Sequence, residues 1–102
     1  MEQVKIMQAD GEELQIALSG DIDLGNAEMF YTEVMTAYEV DKKNVVFDCT
    51  DLAFIDSTTL GTFVKLLKIM QADGKTMRLF GLQPKIKKLF VICSLDTIME
   101  IA

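Results

Sequence analysis

A short polar segment near the middle of the chain separates a strand pattern from a helix pattern. Residues 44–48 read Asn-Val-Val-Phe-Asp, an apolar run that is typical of a strand buried on both faces. The polar segment consists of Asp56, Ser57, Thr58 and Thr59. Beyond it, apolar residues recur at helical spacing and predict one buried helix face; they are Leu60, Phe63, Val64, Leu67 and Met70. The chain is therefore expected to pass from a strand into a helix here.

Two strand patterns and one helix pattern precede this segment. Apolar residues alternate with polar ones at 4–8 and again at 14–18, which predicts two strands of an antiparallel hairpin. A turn at 9–12 joins them, and its Asp-Gly pair is the strongest turn signal. The next pattern, at 27–38, is a helical stripe of apolar residues.

Short-range signals mark the ends of the expected elements. Asn26 or Asp23 could cap the first helix. Residues 49–52 have the composition of a turn after the central strand. Gly74 is placed to take the left-handed conformation just past the end of the central helix. Pro84, the only proline, suits the first position of a third helix.

Strand and helix patterns continue to alternate in the second half of the chain. Residues 75–80 predict a strand, a short helix follows from Pro84, and residues 98–101 predict a last short strand. The resulting order is β-β-α-β-α-β-α-β. Strands separated by helices form parallel pairs through right-handed crossovers. The sequence therefore predicts an α/β fold, with a single mixed β-sheet and helices packed against it, as one domain over residues 1–102.

Composition restricts the partner and the location. The formal net charge is −6, which argues against nucleic acid as a partner. The longest uncharged apolar run, at 89–95, is too short to cross a bilayer, and the first residues lack the pattern of a signal peptide. We therefore expect a cytoplasmic protein without membrane insertion. In a reducing cytosol, Cys49 and Cys93 are expected to be buried free thiols.

Charge is distributed unevenly along the chain. Residues 1–56 carry 13 acidic and three basic side chains, a net charge of −10, whereas residues 57–102 carry three acidic and seven basic ones, a net charge of +4. The sign changes at the junction of Asp56 and Ser57. Ordinary solvated faces can produce such an imbalance, and a polar surface matched to a charged protein partner is the alternative.

The residue types present exclude several chemistries. The chain has no histidine, which rules out Ser–His and Cys–His pairs and histidine-ligated metals. Its two cysteines are too far apart in sequence for a Cys-x-x-Cys pair, and it has no P-loop. Asp21 and Asp23 could form a carboxylate pair, but nothing else in the sequence indicates hydrolysis. We therefore expect no enzymatic activity, no cofactor and no metal site.

The polar segment itself has two interpretations. Asp, Ser and Thr are favoured N-caps, so residues 56–59 could form a helix start and nothing more. Alternatively, Ser57 presents a partly exposed hydroxyl at the helix N-terminus, where the dipole and the free N–H groups tolerate an added phosphate. Because the chain has no internal base for it, Ser57 would then be the substrate of another enzyme.

Several motifs occur in an order that resembles the STAS domain of bacterial anti-sigma factor antagonists. They are Gly20-Asp21-Ile22-Asp23, Val45-Val46-Phe47-Asp48, Ile55-Asp56-Ser57-Thr58-Thr59-Leu60-Gly61, Asp73-Gly74-Lys75 and Pro84-x-Ile86-x-Lys88-Leu89-Phe90. The set covers essentially the whole chain. No motif is strong alone, but their order in matching secondary-structure positions is fairly specific.

The resemblance implies a switchable protein-binding module. An unphosphorylated antagonist of this family binds an anti-sigma factor that is itself a serine kinase, which frees a sigma factor. The kinase, which holds the ATP and Mg²⁺, then phosphorylates the antagonist and releases it, and a serine phosphatase resets it. The phosphorylated serine corresponds to Ser57, with Thr58 and Thr59 as fallback acceptors. The residues that fall on the family's partner-binding region are Asp21, Asp23, Asp56, Ser57, Thr58 and Leu60.

One residue departs from the family pattern. Thr59 stands where the family usually has glycine, so it adds bulk and a third hydroxyl to the first helical turn. This departure favours an alternative function: a STAS scaffold or accessory subunit without a phosphate cycle, as in stressosomes or transport complexes.

Overall fold

The computed structural model describes residues 1–8, 11 and 13–102, and within them it has five strands, three α-helices and one short 3₁₀ turn. The order β-β-α-β-α-β-α-β agrees with the prediction. The elements are β1 (Val4–Gln8), β2 (Glu13–Ile22), α1 (Ala27–Val40), β3 (Asn44–Ile55), α2 (Ser57–Ala72), β4 (Met77–Phe80), α3 (Pro84–Ile92), the 3₁₀ turn (Leu95–Thr97) and β5 (Glu100–Ile101).

The strands form one mixed sheet in the order β1-β2-β3-β4-β5, which confirms the predicted fold class. β1 and β2 are antiparallel, and the other three pairings are parallel. In the pairing of β2 with β3, Ile22 lies opposite Ile55 at the carboxyl ends of both strands. The loop after β2 and the start of α2 therefore leave the sheet side by side.

Alternate residues of the strands form the core with the buried faces of all three helices. Phe63 of α2 lies at its centre, with ring centroids 5.2 Å from Phe30, 5.5 Å from Phe47 and 5.6 Å from Phe90. Aromatic rings at these distances and at tilted angles attract one another in addition to burying apolar surface. One residue of α2 thus connects α1, β3 and α3.

A hydrogen bond joins the C-terminal halves of α1 and α2. The Tyr38 hydroxyl donates to Asp73 Oδ2 over 2.8 Å, and Lys42 Nζ lies 3.4 Å from the same carboxylate. Burial, followed by the bond to Asp73, raises the pKa of Tyr38 to about 12. The hydroxyl therefore stays protonated at neutral pH and keeps its role as donor.

Two predicted helix boundaries are confirmed. Gly74 has φ of 73° just after α2, where the missing Cβ removes the steric penalty of the left-handed region. Pro84 is the first residue of α3. The predicted turn at 9–12 lies mostly outside the described residues; of it the structure describes only Gly11, with φ of 68°.

Other local predictions are wrong. Residues 49–52 are not a turn but part of β3, because pairing with β2 continues to Ile55 across register shifts that accommodate the polar residues. Cys49 is buried as predicted, and burial, with the nearby Asp48, raises its pKa to about 12. Cys93 is exposed, because it is the C-cap residue just past the end of α3 and is not part of the buried face of that helix.

Within the described part of the chain, none of the helices combines the length and the apolar character needed to cross a bilayer.

Candidate functional site

Asp56 connects the start of α2 to the loop after β2. It is the N-cap residue of α2, and its Oδ1 accepts the Thr59 N–H over 3.1 Å. Its Oδ2 accepts the Leu24 N–H over 2.9 Å. The predicted capping role is thus present, and the second oxygen of the same carboxylate holds a segment 32 residues earlier in the chain.

Hydrogen bonding favours the charged form of the Asp56 carboxylate. Desolvation acts to raise its pKa, but hydrogen bonds from the backbone of Thr59 and Leu24, from the Thr59 side chain and from the Thr58 backbone outweigh that effect and lower the pKa. A fully ionised carboxylate therefore stands next to Ser57 at neutral pH.

Thr59 points into the protein rather than toward solvent. Its side chain is 0% exposed, and its hydroxyl donates to the Ile22 carbonyl at the end of β2 while lying 3.1 Å from Asp56 Oδ1. The bulk that Thr59 adds to the first helical turn is therefore directed away from the surface. The Thr59 hydroxyl is therefore inaccessible from solvent in the folded chain.

Replacing Thr59 with Val tests the hydrogen bond from the Thr59 hydroxyl to the Ile22 carbonyl. The substitution keeps the shape but removes the donor to the Ile22 carbonyl, so we expect the free energy of unfolding to fall by about 1–3 kcal/mol in urea denaturation. Thr62→Val is the matched control, since the Thr62 hydroxyl bonds only its own helix, at the Thr58 carbonyl. That variant should change stability by no more than about 0.5 kcal/mol. Equal stability of the two variants would mean that the hydrogen bond between Thr59 and Ile22 does not stabilise the fold.

Ser57 and Thr58 face solvent at the start of α2. Ser57 is the first residue of the helix and is exposed, as is Thr58. Among the residues that the structure describes, the Ser57 hydroxyl has no hydrogen-bond partner. Of the three hydroxyls in the segment, two are therefore accessible, and Ser57 is the one directly beside Asp56.

Asp21 and Asp23 flank Ile22 at the end of β2. Asp21 is exposed, and its carbonyl accepts the Asn26 Nδ2–H group over 2.9 Å. Asp23 is half-buried, and its Oδ1 accepts the Gly25 N–H over 2.9 Å. Asn26 occupies the N-cap position of α1, but its Oδ1 accepts the Asp23 N–H instead of capping the helix. Both aspartates thus belong to a hydrogen-bonded turn beside α2.

Leu60 occupies a different position from the other predicted contact residues. It is only 7% exposed and packs in the core. Its helical spacing with Phe63 and Leu67 places it on the buried face of α2. Leu60 therefore packs in the core under the start of α2 and exposes little surface to a partner.

Three apolar side chains around the site were not predicted from the sequence. Leu24 is 76% exposed in the turn after β2, and Met29 of α1 and Phe54 of β3 are about half exposed. Leu24 lines two clefts, one of about 410 Å³ with Met29 and one of about 380 Å³ that reaches Thr58. Because Leu24 lies in a polar loop, no periodic pattern distinguishes it.

Possible metal ligands do not cluster at the site. In the described ranges, no group of three or more His, Cys, Asp or Glu side chains is arranged to hold a metal ion. The carboxylate nearest to Ser57 is instead occupied by hydrogen bonds to Thr59 and Leu24. The arrangement presents an accessible hydroxyl on a rigid polar surface.

Sequence comparison identifies the class of protein that this fold and site define. A family profile for the STAS domain matches residues 4–102. The anti-sigma-B factor antagonist of Listeria monocytogenes is 33% identical over 100 residues, which cover 96% of this chain and 86% of the relative. The chain belongs to the STAS domain family. Within that family, it is similar to the anti-sigma factor antagonists.

Solved structures share the fold. A Thermotoga maritima protein at 23% identity has a TM-score of 0.83, with 96% of this chain and 82% of that chain covered. The unphosphorylated anti-sigma factor antagonist SpoIIAA, at 18% identity, has a TM-score of 0.76 and coverage of 97% and 86%. The phosphorylated form of SpoIIAA from Bacillus, at 21% identity, has a TM-score of 0.74 and coverage of 97% and 90%.

Proposed function

We propose that this chain is an anti-sigma factor antagonist controlled by phosphorylation of Ser57. Its unphosphorylated form binds an anti-sigma factor that is itself a serine kinase, and the bound anti-sigma factor releases a sigma factor for transcription. The kinase phosphorylates Ser57, the modified chain dissociates, and a serine phosphatase returns it to the binding form. The cycle takes place in the cytoplasm, and ATP and Mg²⁺ are held by the kinase.

The accessibility of the Ser57 hydroxyl carries this proposal. Ser57 is exposed at the first position of α2, and no described residue forms a hydrogen bond with its hydroxyl. A helix N-terminus accepts negative charge, because its dipole and its unpaired N–H groups both favour an anion. The fold can therefore receive a phosphate at Ser57 with little structural damage. Thr58 is also exposed and remains the fallback acceptor, whereas Thr59 is buried.

The effect of the phosphate falls on the partner. It adds about −1.5 to −2 charges at neutral pH beside the ionised Asp56 carboxylate. Like charges placed together at an interface cost several kcal/mol, and about 1.4 kcal/mol corresponds to a tenfold change in affinity. One reversible modification can therefore change partner binding by orders of magnitude.

The relatives support the same role. The Listeria monocytogenes protein is named an anti-sigma-B factor antagonist, and SpoIIAA has a phosphorylated form. The Thr59 hydroxyl is directed toward the Ile22 carbonyl and away from Ser57, which supports a switch over the alternative of a non-switching scaffold or accessory subunit.

The intact mass of the chain isolated from its own cells tests the proposal. We expect a fraction with a single added phosphate, mapped to Ser57 by fragmentation, and no such fraction in cells that express Ser57→Ala. Phosphate on Thr58 in the wild-type chain would move the acceptor by one residue. Absence of phosphate in every growth condition would favour the non-switching scaffold.

A further inference from the structure

Leu24 is an apolar side chain held in an unusually exposed position next to the polar site. It is 76% exposed, although its backbone N–H is bonded to Asp56, the residue before Ser57. We propose that Leu24 is the apolar anchor through which the chain binds its anti-sigma factor and sets partner specificity. This inference rests on the proposed function.

The turn around Leu24 is fixed before any partner arrives. The Gly25 N–H is accepted by Asp23, the Asp23 N–H is accepted by Asn26, and the Asn26 side-chain amide is bonded to the Asp21 carbonyl. Together with the bond from Leu24 to Asp56, these contacts hold the backbone on both sides of the exposed side chain. A side chain presented from a rigid turn loses less conformational freedom on binding than one in a loose loop.

The surface on both sides of Leu24 is shaped to receive a partner. Leu24 and Met29 both line the cleft of about 410 Å³, and Met29 is 55% exposed. The cleft of about 380 Å³ runs between α1 and α2 and reaches Thr58, the neighbour of Ser57. An apolar side chain that protrudes among polar groups can become fully buried in a pocket of the partner, and binding energy in an interface is concentrated at such desolvated positions.

The occupant is the kinase-type anti-sigma factor, because Leu24 lines the same cleft as Thr58, the neighbour of the proposed phosphate acceptor Ser57. A specific interface covers about 800 Å² on each partner. The Leu24 N–H lies 2.9 Å from the carboxylate of the residue that precedes Ser57. A kinase that reaches Ser57 therefore approaches the turn that carries Leu24. We expect its surface to contain an apolar pocket for this side chain.

The experiment compares two truncations of exposed apolar residues in the otherwise wild-type, unphosphorylated chain, and the titration omits ATP so that neither Ser57 nor Thr58 is modified. Leu24→Ala removes the proposed anchor. Val40→Ala is the control, since Val40 is 83% exposed at the opposite end of α1. The probe is the purified anti-sigma factor kinase from the same organism, titrated by calorimetry, and the melting temperatures of both variants verify that the fold is unchanged.

We expect Leu24→Ala to weaken binding about tenfold or more, and Val40→Ala to stay within about twofold of the parent, which is the unphosphorylated wild-type chain. Binding of Leu24→Ala within about twofold of the parent would overturn the inference while leaving the proposed function intact. Failure of the parent itself to bind any such kinase would instead overturn the proposed function.

Discussion

Ser57→Asp is expected to weaken binding of the anti-sigma factor by about a hundredfold or more, the largest effect of any surface substitution in this chain. The substitution places a permanent negative charge beside the Asp56 carboxylate, whose pKa is already lowered by its hydrogen bonds. Folding should be preserved, because an acidic residue in the first turn of a helix is favourable. The measurement is a calorimetric titration with the purified kinase-type anti-sigma factor.

Two control variants show whether partner binding depends on where the added charge lies or only on the net charge of the chain. Ser57→Ala removes the acceptor without adding charge and should bind as tightly as the unphosphorylated wild-type chain. Thr36→Asp changes the net charge as Ser57→Asp does, but at an exposed position of α1 about three helical turns from Leu24. It should bind within about threefold of wild type, since a distant exposed charge is screened. Undiminished binding by Ser57→Asp would favour the non-switching scaffold.

Phe63→Ala should produce the largest loss of stability, about 3–5 kcal/mol. Phe63 is fully buried and contacts the rings of Phe30, Phe47 and Phe90, so its removal leaves a cavity where three elements meet. A domain of this size has a free energy of unfolding of about 5–15 kcal/mol, which makes this loss a large fraction of the total. Urea denaturation followed by circular dichroism measures it.

Phe54→Ala is the matched control for this loss. Phe54 lies in β3 and is 49% exposed, so its removal opens no internal cavity. We expect a cost of no more than about 1 kcal/mol, most of it from the lower strand propensity of alanine. Similar losses in the two variants would mean that the aromatic cluster does not contribute more than an exposed ring.

Periodicity in the sequence was sufficient to predict the architecture. The repeat from Leu60 to Met70 indicated α2, and Gly74 and Pro84 marked helix boundaries that the structure confirms. The prediction failed at 49–52, where local composition favoured a turn. Hydrogen bonding to β2 extends the strand through those residues, and this pairing is a long-range property that a local pattern does not contain.

Local patterns predict the candidate site only where its residues are adjacent in sequence, and Asp21 and Asp23 enter through the family resemblance. Asp56 and Ser57 were identified because a capping residue must precede a helix. The inward direction of Thr59 and the exposure of Leu24 follow from contacts with residues 37 and 32 positions away, at Ile22 and Asp56. Those contacts exist only after β2 and β3 have paired in register, and a single sequence does not encode that register in any short motif.

The hydrogen bonds between α1 and α2 have a consequence for the timing of the proposed switch. Asp56 fixes the Leu24 turn at one end of the helix pair, and Tyr38 is bonded to Asp73 at the other. In the proposed switch, a phosphate on Ser57 would meet a framework fastened at both ends, and the signal would be carried by its charge. On this proposal, the duration of the signal is set by the rates of the kinase and the phosphatase rather than by relaxation of the chain.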